Sequence, residues 1–216
     1  MVRILFSLLL LLTCLDTAAA PWRLVRSDPE RDIRVFVQGD PAQPYQHFYV
    51  QARMQAPLGA VLAVFNDVPA APEWVARVEQ ARLLRRQGDQ SWIYTVYQLP
   101  YPFLARDAVL HTVLSRDASG VVTLDSHAVP GLIEARPRSV RLLDAHSTWK
   151  FTPQPGGWLQ VELWGEGNPG GYIPSWLYNY SLPDGPVQTL RNLRRMVQRQ
   201  RYLTPVRPAV SAKSAR

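Results

Sequence analysis

Residues 167–179 read GNPGGYIPSWLYN, and this stretch decides how the rest of the chain is interpreted. Its Asn-Pro-Gly-Gly start is typical of a turn, because proline fixes φ and glycine adopts conformations that other residues avoid. Large apolar or aromatic side chains then crowd together at Tyr172, Ile173, Trp176, Leu177 and Tyr178. So much apolar surface needs a partner, and the stretch by itself leaves open the protein's own core, a membrane or a bound molecule.

The chain has 216 residues and begins with the features of a secretory signal peptide. Arg3 precedes the apolar run ILFSLLLLLTCL, and the small residues TAAA follow at 17–20. The run is shorter than the ~20 residues of a membrane-spanning helix, although a retained N-terminal anchor is an alternative. We therefore predict a signal peptide over residues 1–20 and export to a periplasmic or extracellular space.

Cysteine usage and charge limit the class of the mature protein. Cys14, the only cysteine, lies in the predicted signal peptide, so the mature chain has no disulfide and needs a hydrophobic core. We predict one domain over residues 21–204 and a disordered basic tail over 205–216. The formal net charge of +7 favours transient contact with an anionic membrane surface. We expect a monomer that binds no nucleic acid.

Strand patterns dominate the middle of the chain. β-Branched and aromatic runs are separated by turn sequences such as Gly88-Asp89 and Pro155-Gly156-Gly157. Such short connections predict antiparallel neighbours. The runs are DIRVFVQ, HFYVQARMQA, SWIYTVYQL, AVLHTVLSR, VVTLDSHAV, STWKFTP and WLQVELWGE.

Two predicted helices frame these strands. The first is PLGAVLAVFND, with Pro57 at its first position and a helical period of apolar residues. The second is a long helix from near Ser181 to about Leu203. Its apolar stripe consists of Leu190, Leu193 and Val197, flanked by Met196. This order predicts an α+β fold in which a twisted sheet curls around a helix, with a packed or hollow interior.

Sequence motifs give no support to nucleotide or metal chemistry. Gly165, Gly167 and Gly170 form a literal GxGxxG, but no predicted helix begins at the last glycine and no acidic residue follows at the required distance. We expect these glycines to form a wide turn. The histidines lack the spacing of metal ligands, and we predict no metal, no cofactor and no catalytic residue. They are His47, His111, His127 and His146.

The segment PYPFLARDAVLHTVLSR places Arg106 and Asp107 at the entry to a strand. One role for these residues is a local charge pair or turn contact. The other is that one of them points into a cavity and fixes the polar end of a ligand, since a buried charge is costly unless it is paired. The local role is favoured, because charge pairs at a protein surface are common and weak.

Taken together, these pieces resemble the START (StAR-related lipid transfer) family, over nearly the whole mature chain. The resemblance includes the APLGAVLAVFND helix, APEWV, LPYPFLARD and WGEGNPGGYIPSWLYN before the last helix. The proline-rich segment before Arg106-Asp107 and the PGG-x-IP-x-W-x-x-N segment are its specific parts. Tyr101 stands where the family usually has tryptophan, and Asn168 where it often has aspartate.

The resemblance implies a helix-grip (START/Bet v 1-like) fold, with a curved antiparallel sheet wrapped around a long C-terminal helix and an internal cavity. It also implies non-covalent binding of a lipid or similar apolar molecule, exchanged at a membrane through a lid that contains the 167–179 stretch. The polar candidates for ligand contact are Tyr94, Tyr97, Arg106, Asp107 and His111. The apolar candidates are Trp74, Trp164, Tyr172, Trp176, Leu193 and Met196.

Two other functions stay open at this point. The wider helix-grip superfamily includes cyclases of polyketide-like substrates, and a cyclase- or hydrolase-type enzyme would place a histidine and a carboxylate deep in the same cavity. An envelope interaction protein would instead have a filled core. We expect a binding protein rather than an enzyme.

Overall fold

The computed structural model describes residues 20–203. The predicted tail and all but the last residue of the predicted signal peptide lie outside this range, and both stay predictions. The strands are β1 (Arg23–Asp28), β2 (Ile33–Asp40), β3 (Gln43–Gln55), β4 (Val78–Gln87), β5 (Gln90–Tyr97), β6 (Ala105–Arg116), β7 (Val122–Ala128), β8 (Ser139–Arg141), β9 (Ala145–Gln154) and β10 (Trp158–Gly167). The helices are α1 (Leu58–Asn66), α2 (Ala71–Trp74), α3 (Ser175–Ser181), α4 (Asp184–Met196) and α5 (Gln200–Leu203).

The strands form a single sheet in the order β1-β2-β3-β10-β9-β7-β6-β5-β4, and every neighbour along this path is antiparallel. The short β8 pairs with β6 in parallel. Each of the seven predicted strand runs overlaps a strand and extends no more than two residues past its ends. The predicted α+β architecture of antiparallel sheet and C-terminal helix is confirmed.

Alternation along the strands gives the sheet an inner and an outer face, because successive side chains point to opposite sides. The inner side chains of β2 and β3 are fully buried, at Ile33, Val35, Val50 and Met54. They pack against α1 and the C-terminal turns of α4 in one continuous apolar cluster. We call this region the packed half of the molecule.

Several elements differ from the prediction. The predicted last helix is divided near its end, since α4 ends at Met196 and α5 begins at Gln200. A further helix, α3, precedes it and was not predicted. Pro183 separates α3 from α4, because proline offers no backbone donor to a helix. The unpredicted strand β4 has register shifts after Val78 and Leu83 that interrupt its alternation and hide it in the sequence. Among residues 20–203, no helix is both long and apolar enough to cross a membrane.

Candidate functional site

A cavity of about 1010 Å³ lies between the inner face of the sheet and the helices. This volume is at the upper end of the 300–1,000 Å³ that is typical of small-molecule pockets. Its walls are the inner side chains of β5, β6, β7 and β9, one side of α1 and α2, and the region from Ile173 to Thr189. We call this region the hollow half of the molecule.

Several inner side chains of the hollow half are small. Ser91 on β5, Ala108 and Thr112 on β6, Ser126 on β7 and Ser147 on β9 all line the cavity. Larger apolar side chains such as Leu110 lie beside them on the same wall. The first turn of α4 adds more small or compact residues to the wall, Gly185, Pro186 and Thr189.

Helix α3 forms the roof of the cavity, with Leu177 and Tyr178 turned inward. Burial raises the pKa of the Tyr178 hydroxyl to about 12. Asn179 fastens this helix to the start of β3. Its Oδ1 accepts a hydrogen bond from the backbone N–H of Gln46 at 2.9 Å, and its Nδ2 donates to the carbonyl of Pro44 at 3.1 Å.

Arg106 is buried near the start of β6 and bonds to backbone carbonyls. Its guanidinium donates to the carbonyls of Leu104 at 2.5 Å, Pro169 at 2.8 Å and Gly170 at 2.7 Å. Burial lowers the pKa of Arg106 from its usual value. The side chain therefore ties the loop before β6 to the loop before α3. Gly171, at φ +58°, lies against it, since a Cβ there would be 3.3 Å from Arg106 Nη2.

Asp107 points to the opposite face of β6 and is fully buried. Its carboxylate accepts hydrogen bonds from Arg141 at 2.8 Å, the backbone N–H of Arg136 at 3.0 Å, Ser139 at 3.1 Å and the hydroxyl of Tyr94 at 3.3 Å. Burial alone would raise the pKa of Asp107, but these hydrogen bonds hold it below its ordinary value. A charge pair between Arg106 and Asp107 is wrong, because neighbours in a strand face opposite sides. The alternative form of the local role, a turn contact, is present in the hydrogen bond from Arg106 to the carbonyl of Leu104.

Only some of the predicted ligand-contact residues line the cavity. Trp74 and Tyr97 are part of its wall, and burial raises the pKa of Tyr97 to about 12. Arg106 and Asp107 are bonded to protein groups and are absent from the described wall. Tyr94, His111 and Trp164 lie on the outer face of the sheet, because each occupies the alternate position to a cavity-lining neighbour.

The other apolar candidates lie above or below the cavity. Tyr172 and Trp176 are 87% and 70% exposed at the roof, while Ile173 and Leu177 beside them line the wall. Leu193 and Met196 are 0% and 1% exposed and belong to the packed half. These two residues therefore do not line the cavity. The predicted apolar stripe on α4 is present, but it packs against the sheet in the packed half and not against the cavity.

Most of the wall was not among the predicted contacts. The signal that could have found it is the period of two in β5 and β6, which puts alternate residues on one face. The main wall residues missed are Phe48, Phe65, Ser91, Ile93, Thr95, Leu110, Thr112, Leu114, Ser126 and Trp149. The predicted wide turn is also wrong for Gly165, which lies within β10. A Cβ at this position would be 2.4 Å from Phe48 Cζ, so the glycine makes room for a wall residue.

The histidines form one cross-strand row on the outer face. Cross-strand pairing places Glu166 on β10 beside His146 on β9. It also places His127 on β7 between His146 and His111 on β6. Glu166 lies between two of them, 2.9 Å from His47 Nδ1 and 3.6 Å from His146 Nδ1. Asp125 is 2.7 Å from His146 Nε2. In strand order the row is His47, Glu166, His146, His127 and His111.

Comparison with known proteins agrees with this architecture. A protein of Pseudomonas aeruginosa described as uncharacterized is 28% identical over 185 residues, which are 86% of this chain and 91% of that protein. The structure of a STAR-related lipid transfer protein from Xanthomonas axonopodis superposes with a TM-score of 0.76 at 28% identity, covering 82% of this chain and 99% of the other. The protein has the START fold.

More distant structures show the same fold. Human StAR-related lipid transfer protein 5 matches with a TM-score of 0.71 at 17% identity, over 84% of this chain and 88% of that protein. No protein-family model matches the sequence. The START resemblance carried by the 167–179 stretch and the proline-rich segment is thus confirmed at the level of structure.

Proposed function

We propose that this START-fold protein binds a lipid or similar apolar molecule non-covalently in its cavity. The observation that carries the proposal is a hollow of about 1010 Å³ walled largely by apolar side chains. An apolar ligand gains roughly 25 cal/mol for each Å² of surface that it removes from water there. The solved relatives named as lipid transfer proteins support the same class of ligand.

We further propose that the ligand is exchanged at a membrane surface, with α3 as the moving part. Trp176 and Tyr180 are exposed on this helix, four residues apart and so on one face, while Leu177 and Tyr178 face the cavity. Exposed aromatic side chains are suited to a membrane interface. Arg106 holds the loop before α3 through Pro169 and Gly170, so movement begins after that point.

The predicted signal peptide supports an exported protein, and the net charge of +7 suits an anionic membrane surface. The filled-core alternative is disfavoured by the hollow itself. The enzyme alternative requires a histidine and a carboxylate deep in the cavity. In the described residues, each histidine–carboxylate ion pair belongs to the outer-face row.

Native mass spectrometry of the purified protein tests the binding proposal. We expect a bound apolar molecule whose mass is recovered by solvent extraction. Leu110→Trp, which adds volume on the cavity wall, should reduce the bound fraction. Val113→Trp is the matched control, because it lies on the outer face of the same strand. Equal ligand occupancy in the two folded variants would contradict the proposal.

A further inference from the structure

The polar groups on the cavity wall are mainly hydroxyls. Ser91 and Thr95 lie on β5, Thr112 on β6 and Ser126 on β7, all turned toward the hollow. Thr112 Oγ1 and Ser126 Oγ form a hydrogen bond of 2.8 Å across the two strands. A hydroxyl both donates and accepts, so this pair can reorient toward a hydroxyl or carbonyl oxygen of a ligand.

The acidic and basic side chains of the described wall are either at its rim or already bonded to protein groups. Arg77, Arg86 and Asp89 are exposed at the rim. Asp67 accepts a hydrogen bond from the hydroxyl of Tyr202 at 2.8 Å. His146 also contributes to the wall, but its imidazole is directed to Asp125 and Glu166 on the outer face.

The buried charges nearest to the wall are already committed to protein groups. Arg106 donates to backbone carbonyls, and Asp107 is paired with Arg141 on the far side of β6. An ionised headgroup deep in the hollow would therefore find no counter-charge among the described wall residues, because the wall arginines Arg77 and Arg86 lie at the rim. Removing an ion from water without such a partner costs several kcal/mol, whereas a hydroxyl or carbonyl needs only a hydrogen-bond partner.

We infer that the cavity selects an electrically neutral ligand with a hydroxyl or ester oxygen, such as a long-chain alcohol, a sterol or an acylglycerol, over an ionised fatty acid or phosphatidate. This inference rests on the proposed function and names the ligand class for the same site. The Thr112–Ser126 pair is the contact for the polar oxygen.

Displacement of the neutral dye Nile red by a matched pair of ligands tests the inference. Hexadecan-1-ol and hexadecanoate share one chain and differ in the charge of the head at about pH 9, well above an ordinary carboxyl pKa. We expect the alcohol to displace the dye at a concentration lower by about tenfold or more, a difference of about 1.4 kcal/mol. The double variant Thr112→Val/Ser126→Ala should reduce this preference.

The matched control is Thr123→Val/Ser115→Ala, which removes the same two residue types from the same two strands on the outer face. It should keep the preference of the unmodified protein. Equal or stronger displacement by hexadecanoate would overturn the inference while leaving the cavity as an apolar binding site. Failure of Nile red itself to bind would instead contradict the proposed function. A preference that survives in both double variants would overturn the role of the Thr112–Ser126 pair.

Discussion

The packed half and the hollow half of the sheet share one backbone design and differ in what their inner side chains face, the helices in one and the cavity in the other. In the packed half Val35 and Val50 meet helix residues such as Leu193, and all are fully buried. In the hollow half Leu110 and Thr112 occupy equivalent inner positions and are only half-buried. Helix α4 belongs to both halves, packing tightly over its C-terminal turns and lining a cavity with its first turn.

The two ends of helix α4 therefore have different roles. Burial of apolar side chains against one another stabilises the fold in the packed half, so the hollow half is free to leave its apolar surface for a ligand. Substitutions in the two halves should therefore separate the free energy of unfolding from the affinity for a ligand.

The largest effect on stability is expected for Leu193→Ala. The removed side chain is fully buried, so its loss leaves a new void and lowers the free energy of unfolding by about 2–5 kcal/mol. Leu110→Ala makes the same chemical change beside an existing cavity and should cost less. Urea unfolding of both variants measures the difference. Equal losses would show that the hollow half packs as tightly as the other.

A smaller loss is expected for Asp107→Asn, which removes the charge that holds residues 136–141 through Arg136, Ser139 and Arg141. Hydrogen bonds to a charged group contribute about 1.5–3 kcal/mol, so the free energy of unfolding at pH 7 should fall by about that amount. The folded pKa of Asp107 lies below its ordinary value, so its contribution is present above pH ~3.9 and is lost as the pH falls through the folded pKa. The difference between the two proteins should therefore shrink in acid.

Asp184→Asn is the control for this change, because the exposed Arg26–Asp184 pair has a similar distance of 2.7 Å. Exposed ion pairs contribute about 0–1 kcal/mol. Unfolding of both variants at neutral and acidic pH compares the two carboxylates. If the two variants lose equal stability, Asp107 does not anchor this segment of the hollow half.

The smallest effect on stability is expected for Trp176→Ala/Tyr180→Ala on the roof. Both side chains are exposed, so the free energy of unfolding should change by no more than about 0.5 kcal/mol per site. Flotation with vesicles that contain anionic lipid should nevertheless show weaker association. Trp158→Ala, at the opposite end of β10, is the control. Unchanged flotation of the double variant would show that α3 does not contact the membrane.

The sequence predicts much of this fold, because alternation in runs such as AVLHTVLSR depends on local pattern alone. It could not decide which apolar residues face empty space. Leu193 and Leu110 look alike in sequence, and only the distance from the sheet to the helix separates a core residue from a wall residue. Arg106 and Asp107 stand out in the sequence, but the role favoured there is that of a surface pair, whereas both side chains are buried. Their partners, Gly170 and Arg141, come from distant segments whose packing no local pattern reveals.

The row of histidines makes the outer face sensitive to acid at its β6 end. Burial and the neighbouring His127 lower the pKa of His111, so proton uptake there opposes folding. The loss of stability sets in as the pH falls through the ordinary histidine pKa of about 6.5, where the unfolded chain takes up the proton first. The face of the sheet turned away from the cavity thus carries a proton-uptake site that works against the fold.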